Sequence, residues 1–240
     1  MTYKITHLES CTSTMDAAKD WVLNNPASPQ IHIIQADQQT QGRGKPGSYW
    51  SSPKGNLYVT LILPFHFSVA ELSQLSFLMA VALGDILLVL NNSLPLQYKW
   101  PNDILLAGKK AGGILLEPFE QTTLIGIGLN INSFPEDLPA TCLKDYGLEF
   151  SPHELIKCLM PFLTKWLDIW KKESFGVIRS AWLKRAFRLK ETISVRILPT
   201  PKEGVFQDID ENGNLILIEK NGTNWRLASG DIFVNKELDQ

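Results

Sequence analysis

The residues from Gln39 to Trp50 combine the features of an anion-binding loop. The stretch holds three glycines and two cations, Arg43 and Lys45, then ends in Tyr49 and Trp50, with no aliphatic side chain that could anchor a helix or strand. Backbone N–H groups and cations together attract phosphate or carboxylate, so the loop is predicted to bind an anion, and its aromatics to stack on a flat ring. The composition also suits an ordinary surface loop, because its G-x-G spacing matches neither a P-loop nor a dinucleotide fingerprint.

Two later stretches also place glycines beside polar or charged side chains. Residues 99–103 form a proline-marked bend that ends in an asparagine and an aspartate, and Lys110 stands just before Gly112 and Gly113. A lysine in that position is well placed to meet a carboxylate or phosphate, because glycines leave a strand open to close approach. Residues 124–132 read as a strand with two glycines that ends in amides. Each stretch has a structural explanation taken singly, but together they predict one shared ligand pocket.

The elements around these stretches predict an α+β catalytic domain with a mixed sheet. Strands are expected at residues 3–8, 31–34 and 57–63, and around 98–106, 110–117 and 124–132. Helices are expected after Ser13 or Thr14, after the capping box that starts at Ser68, after the capping box that starts at Ser151, and over residues 174–187. The pattern therefore places the loop and the glycine-containing strands in a single domain, residues 1–188.

The chain changes character after about residue 190. Short strands are predicted at residues 192–198, 204–209, 214–218, 223–227 and 232–234, separated by turn signals such as Asn212-Gly213 and Asn221-Gly222. This spacing is typical of a small antiparallel barrel. We expect residues 189–240 to form a second, smaller domain.

Composition narrows the class of protein. The 240 residues are 44% hydrophobic and 20% charged, and apolar runs such as Ile86–Leu90 are too short to cross a bilayer. The N-terminus has no apolar signal-peptide core, and Cys11, Cys142 and Cys158 are spaced for neither disulfides nor zinc. These features predict a cytoplasmic protein without a membrane partner. A net charge of -2 argues against general nucleic-acid binding.

Four motifs, in order, resemble those of the biotin protein ligase family. The family's glycine loop appears at residues 42–50, its K-W-P-N-D segment at 99–103, its K-x-x-G-I-L segment at 110–115 and its G-I-G-x-N-x-N segment at 126–132. The resemblance covers essentially the whole chain. It implies the biotin–lipoate ligase fold, similar to class II aminoacyl-tRNA synthetases, with a C-terminal Src-homology-3-like β-barrel.

The resemblance also implies an activity and its site residues. Biotin would react with ATP, with Mg²⁺ present, to give biotinyl-5′-AMP and pyrophosphate, and a lysine of a biotin carboxyl carrier domain of acetyl-CoA carboxylase or a related carboxylase would then take the biotin. Lys110 and Arg43 would be catalytic. The residues implied for biotin are Ser13, Thr14, Gln39, Gly42, Arg43, Lys45, Lys110 and Gly113, and those implied for the nucleotide are Trp50, Asn102, Asp103 and Asn130. No metal ligand is assigned.

The chain departs from the family pattern at two positions. Met15 stands where the family usually has asparagine, which removes one polar contact to the biotin ring, and Lys45 stands where it has a second loop arginine. Lysine keeps the charge but lacks the planar fork of arginine, so we expect weaker retention of the adenylate.

The sequence also bears on possible partners and on two rival functions. The Ser-Thr motif begins at residue 13, leaving no room for the winged helix-turn-helix of the family's regulatory members, so DNA binding is not expected, whereas a homodimer is left open. One rival function is a lipoate or octanoate transferase, which shares the catalytic architecture. The other is a binding protein that sequesters biotin or a carrier domain without catalysis.

Overall fold

The computed structural model describes residues 2–26, 28–45, 47–197 and 200–233. In chain order the elements are β1 Tyr3–Leu8, α1 Thr14–Asn24, β2 Ile31–Ala36, β3 Leu57–Leu63, α2 Val69–Leu90, β4 Leu96–Lys99, β5 Asp103–Leu106, β6 Lys109–Phe119, β7 Thr122–Leu129, a 3₁₀ turn Leu143–Tyr146, α3 Pro152–Glu173, α4 Phe175–Leu183, β8 Thr192–Arg196, β9 Lys202–Ile209, β10 Leu215–Ile218, β11 Asn224–Leu227 and β12 Asp231–Phe233.

Seven strands form the main sheet in the order β1-β2-β3-β7-β6-β5-β4. The edge strand β1 runs parallel to β2, and the other neighbours are antiparallel, which confirms the predicted mixed sheet. Strands β2 and β3 are buried along their whole length because helices cover both faces of the sheet. Helix α1 packs on β2, β3 and β7, while α2 packs against β4, β5 and β6 and also against α3 and α4.

The helix starts agree with the capping signals in the sequence. Ser68 and Ser151 both close capping boxes, with Glu71 and Glu154, and the Ser13 side chain accepts a hydrogen bond from the backbone N–H of Met15. Each box satisfies backbone donors that the first helical turn leaves without partners. The helix predicted over residues 174–187 is shorter and ends at Leu183.

Helix α2 is long and apolar enough to span a membrane by length and composition alone. Two-thirds of its most apolar window is buried inside the protein, between the main sheet and helices α3 and α4. Its residues Leu75, Leu83 and Leu87 are fully buried in the principal core. We therefore interpret α2 as the central core helix.

The C-terminal strands form a separate five-stranded antiparallel sheet in the order β11-β10-β9-β8-β12, as the turn signals predicted. The predicted ends of two strands, Leu198 and Val234, lie outside the described residues. This sheet shares one continuous core with the catalytic domain, and the indole N–H of Trp100 donates to the carbonyl of Gly213 at 3.0 Å. The domain boundary at residues 188/189 stays a prediction.

Candidate active site

A cavity of about 290 Å³ opens where the start of α1, the glycine loop (residues 39–50) and strands β5, β6 and β7 meet. Every predicted site residue except Gly42 and Asn130 lines it; those that do are Ser13, Thr14, Gln39, Arg43, Lys45, Trp50, Asn102, Asp103, Lys110 and Gly113. Residues spread over a hundred positions of the sequence therefore converge on one space.

Hydroxyl and amide groups form one end of this cavity. Gln39 accepts from the Thr14 N–H at 2.8 Å and from the Thr14 hydroxyl at 3.2 Å, and it donates to Ser52 at 2.8 Å. The Thr60 hydroxyl donates to that of Thr14 at 2.9 Å. Ser13 is 1% exposed and accepts from a backbone N–H, so its own proton remains able to donate to a ligand. This end of the cavity is suited to a small polar ring.

Met15 lies beneath the same end and gives it an apolar floor. Its side chain is buried in a cluster with Val22 and Ile34 and lies directly under Gly126 of β7, where a Cβ would come within 2.9 Å of the Met15 sulfur. Met15 therefore offers packing to a bound ligand and no strong hydrogen bond.

The two sides of the glycine loop are paired with each other. Arg43 and Tyr49 form an antiparallel bridge, and the Trp50 N–H donates to the Gly42 carbonyl at 3.0 Å. A Cβ at Gly42 would lie 2.3 Å from the Trp50 carbonyl oxygen, so this position requires glycine for close packing of the backbone. Gly42 lies outside the cavity lining and shapes the loop, and its assignment to the biotin site stays a prediction.

Trp50 lies flat on the main sheet at a place cleared by two glycines. Gly113 of β6 and Gly128 of β7 are paired across the sheet, and a Cβ at Gly128 would stand 2.5 Å from the indole ring. The indole nitrogen of Trp50 and the amide oxygen of Asn102 are buried without a hydrogen-bond partner among the described residues. Buried polar atoms without partners are costly to the folded state.

Lys110 reaches the cavity because of a β-bulge. The β5–β6 register pairs Asp103 with Gly113 but Leu105 with Lys110, so Ala111 is the extra residue on β6. Without the bulge, Lys110 would lie on the opposite face of the sheet from Gly113; with it, the two share the cavity face. The Lys110 Nζ lies 2.8 Å from the Asp103 carboxylate and 5.3 Å from the Trp50 ring centroid.

Arg43 is held by two carboxylates at the cavity wall. Its guanidinium donates to Asp16 at 2.9 Å and to Glu117 at 2.5 Å, and Glu117 also pairs with Lys19 at 2.7 Å. A forked guanidinium is suited to bridging two acids in this way. Arg43 therefore fixes the base of the glycine loop to α1 and β6, and its charge is shared with those acids.

Lys45 is paired with the C-terminal sheet. Its Nζ lies 2.6 Å from the Asp231 carboxylate and 3.5 Å from the Gly230 carbonyl. Burial raises the pKa of Asp231, but the hydrogen bond from Lys45 and the charges of Lys45, Lys99 and Lys110 lower it more, so the net pKa is below its usual value. The sequence resemblance gave Lys45 a place at the biotin site, and the structure adds this partner from the other domain.

A second cavity of about 200 Å³ shares Trp50 as a lining residue with the first. Apolar residues from the loop after β7 form one part of its wall, namely Pro135, Leu138, Pro139 and Ala140. Tyr49, Trp50 and Lys110 line both cavities. Asn130 belongs here and is buried, with its amide donating to the Thr141 carbonyl at 3.1 Å. Asn130 lines the second cavity and not the first, and its assignment to the nucleotide stays a prediction.

Two charged lining residues of the first cavity were not assigned from the sequence. Lys99 belongs to the Lys-Trp-Pro-Asn-Asp segment, so the motif carried a signal for it. Asp231 lies in the C-terminal sheet, more than a hundred residues from the other lining positions, and no pattern in the sequence indicated it.

The comparisons with known proteins point to one family. Residues 8–132 match the Biotin/lipoate A/B protein ligase family, and residues 192–234 match the Biotin protein ligase C terminal domain. The biotin–acetyl-CoA-carboxylase ligase of Paracoccus denitrificans is 37% identical over 198 residues, which cover 77% of this chain and 82% of that protein. The chain belongs to the biotin protein ligase family.

Other members of the biotin protein ligase family extend the match. The bifunctional ligase/repressor BirA of Bacillus subtilis is 31% identical over 92% of this chain and 71% of its own length. The structure of biotin protein ligase from Aquifex aeolicus in complex with biotin and ATP superposes with a TM-score of 0.82 at 25% identity, covering 96% of this chain and 97% of that one. The Leishmania major biotin protein ligase in complex with biotinyl-5-AMP gives a TM-score of 0.66 at 28% identity, over 94% and 99% of the two chains. The biotin–lipoate ligase fold with a C-terminal β-domain is thereby confirmed.

Proposed function

We propose that this biotin protein ligase joins biotin to ATP as biotinyl-5′-AMP, releases pyrophosphate and transfers biotin to a carrier lysine. The observation that carries the proposal is the position of Lys110, which touches both cavities and lies between the Asp103 carboxylate and the Trp50 ring. One ammonium group can therefore face an acid bound in the first cavity and a phosphate bound near the second.

The two cavities are suited to the two halves of an acyl-adenylate. The first ends in the polar groups of the buried Ser13 and Thr14 and of the half-buried Gln39, which match the hydrogen-bonding needs of the ureido ring of biotin. A plain acyl chain would leave the proton of the buried Ser13 hydroxyl without an acceptor, which is costly. The second cavity has apolar walls beside the Trp50 indole and is suited to a flat base such as adenine.

The chemical step requires two anions to meet. A carboxylate oxygen of biotin attacks the α-phosphorus, a new P–O bond forms, and the bond to pyrophosphate breaks as that group leaves. Fixed cations that neutralise both anions favour this step more than they favour the separated reactants. Lys110 is placed to supply that charge between the cavities, and Lys99 adds to the positive potential of the lining.

In the second step, the ε-amine of an acceptor lysine attacks the activated carbonyl, and AMP leaves with the electrons of the broken C–O bond. The loop residues Lys45, Ser48 and Tyr49 cover the first cavity and would exclude water from the mixed anhydride. Water exclusion protects a reactive intermediate from hydrolysis. The carrier must therefore present its lysine where the loop gives access.

Mg²⁺ would accompany the nucleotide. No group of three or more His, Cys, Asp or Glu side chains within residues 2–26, 28–45, 47–197 and 200–233 is arranged as a metal cage. Mg²⁺ commonly binds through substrate phosphates and water rather than through a protein cage, so this cavity fits an ion that arrives with the nucleotide. The ion would supply further neutralisation of phosphate charge.

The remaining partners follow from this activity. The acceptor would be a biotin carboxyl carrier domain of acetyl-CoA carboxylase or a related carboxylase, and a cytoplasmic location and a homodimer stay predictions. The test of the first step is pyrophosphate release in the presence of ATP with biotin, lipoate or octanoate. Pyrophosphate release that needs both ATP and biotin supports the proposal. Release with lipoate or octanoate instead of biotin would favour the transferase, and no release with any of the three acids would favour the sequestering protein.

A further inference from the structure

The tip of the glycine loop is tied to the C-terminal sheet by one charged contact. Near the tip, the Ser48 N–H donates to the Lys45 carbonyl at 2.8 Å and the Gly44 N–H donates to the Ser48 carbonyl at 3.2 Å. The Lys45 side chain reaches across 186 sequence positions to the Asp231 carboxylate, 2.6 Å away. The covering loop and the second domain therefore meet at the mouth of the first cavity.

Asp231 sits on a fixed support. It begins β12 and pairs with Arg196 of β8, so its backbone belongs to the C-terminal sheet. That sheet is anchored to the catalytic domain by the buried hydrogen bond from Trp100 to Gly213. Because Asp231 is fixed in this way, the loop tip can move away from the cavity only if the Lys45–Asp231 ion pair breaks.

We infer that Asp231 is a positioning residue that holds the glycine loop closed through Lys45 and so slows the escape of the acyl-adenylate. The inference rests on the proposed function and assigns the C-terminal sheet a part in it. In this arrangement the Lys45 ammonium is neutralised by the Asp231 carboxylate, and the adenylate is retained because the loop is closed. The Lys45–Asp231 ion pair takes the place of a direct contact between Lys45 and the phosphate.

The size of the effect follows from the exposure of the pair. The side chains of Lys45 and Asp231 are 30% and 56% exposed, so solvent screens their attraction. Such pairs contribute enough to change an opening equilibrium by roughly two- to fivefold. We therefore expect a moderate change in adenylate release and no change in whether the adenylate forms.

Asp231→Asn separates this inference from direct phosphate binding by Lys45, because the two predict opposite signs. With the ion pair removed, an opened loop should release preformed biotinyl-5′-AMP roughly two- to fivefold faster, with an unchanged pyrophosphate burst. If Lys45 binds the phosphate directly, freeing it from Asp231 should slow release. Glu211→Gln is the matched control, since Glu211 is an exposed acid of the same domain outside the cavity, and it should match the parent.

A charge exchange tests the pair itself. The double variant Lys45→Asp with Asp231→Lys should return release towards the parent rate, whereas Lys45→Gln alone should release the adenylate as fast as Asp231→Asn. A double variant that behaves as the sum of two independent losses would overturn the inference.

Loop opening can also be read without substrate. Limited trypsin cleavage after Arg43, in the glycine loop, should be roughly two- to fivefold faster in Asp231→Asn than in the parent or in Glu211→Gln. Equal cleavage rates, or unchanged or slower adenylate release, would overturn the role of Asp231. A parent protein that forms no adenylate from biotin and ATP would refute the proposed function instead, and the cleavage rates would still decide whether Asp231 holds the loop.

Discussion

Lys110→Ala removes the charge on which the proposed chemistry depends. Lys110 lies 2.8 Å from Asp103 and touches both cavities, so its loss leaves the two reacting anions without their shared counter-charge. The side chain of Asp103 is only 10% exposed, and without Lys110 its carboxylate would face the incoming anions unpaired. Both effects raise the barrier to adenylate formation.

The magnitude follows from these two effects. Removal of one fixed donor or cation from a closed site costs on the order of 10²–10³ in rate. Lys110 is 41% exposed, and this partial screening places the expected loss near the lower end, on the order of 10². A second change, Asp103→Asn in the Lys110→Ala background, should recover part of the loss because it removes the unpaired negative charge.

The assay is single-turnover pyrophosphate release with saturating biotin and ATP. Lys109→Ala is the matched control, because Lys109 is the neighbouring exposed lysine on β6 and does not line either cavity of the site. It should leave the rate within about twofold, as expected of a surface substitution. A folded Lys110→Ala protein with the parent's rate, or an equal loss in Lys109→Ala, would refute the reasoning.

Three further predictions test the surroundings of the site. Gly128→Ala should displace Trp50, because the new Cβ would lie 2.5 Å from the indole ring. We expect a higher KM for ATP and altered tryptophan fluorescence. Gly176→Ala is the control, since a Cβ there would have its nearest atom at 3.9 Å, and it should change neither quantity. Trp100→Phe should lower the free energy of unfolding by about 1–3 kcal/mol in urea, because it leaves the buried Gly213 carbonyl without its donor. The pKa of Asp231 is lowered, so its ion pair with Lys45 is intact at every pH above the ordinary pKa of an aspartate and is lost only as the pH falls through the lowered pKa. The rate of adenylate release should therefore be constant from pH 8 down to about 5 and should rise only in stronger acid.

Much of the site could be predicted because each motif has a local physical cause. Gly128 and Gly113 are bare so that the Trp50 ring can lie on the sheet, and Ser13 is both a helix cap and a cavity wall. These roles are tied to residue type and to neighbours on the same strand or turn. The motif residues therefore predict a shared pocket from the sequence alone.

Other features depend on distant parts of the chain. The bulge at Ala111 that turns Lys110 into the cavity arises from the register with β5, which no single strand specifies. The partner of Lys45 comes from β12, and those of Arg43 come from α1 and β6. Ion pairs leave no periodic signal, so the sequence predicted both cations as ligands for an anion and missed the carboxylates they contact here.

The most direct measurement is the intact mass of a purified apo carrier domain after incubation with this chain. With biotin, ATP and Mg²⁺ present, we expect one added biotinyl group on a single lysine, and no addition when biotin or ATP is left out or when that lysine is replaced by arginine. Addition of lipoyl or octanoyl in place of biotin, or an unmodified carrier in the complete mixture, would contradict it.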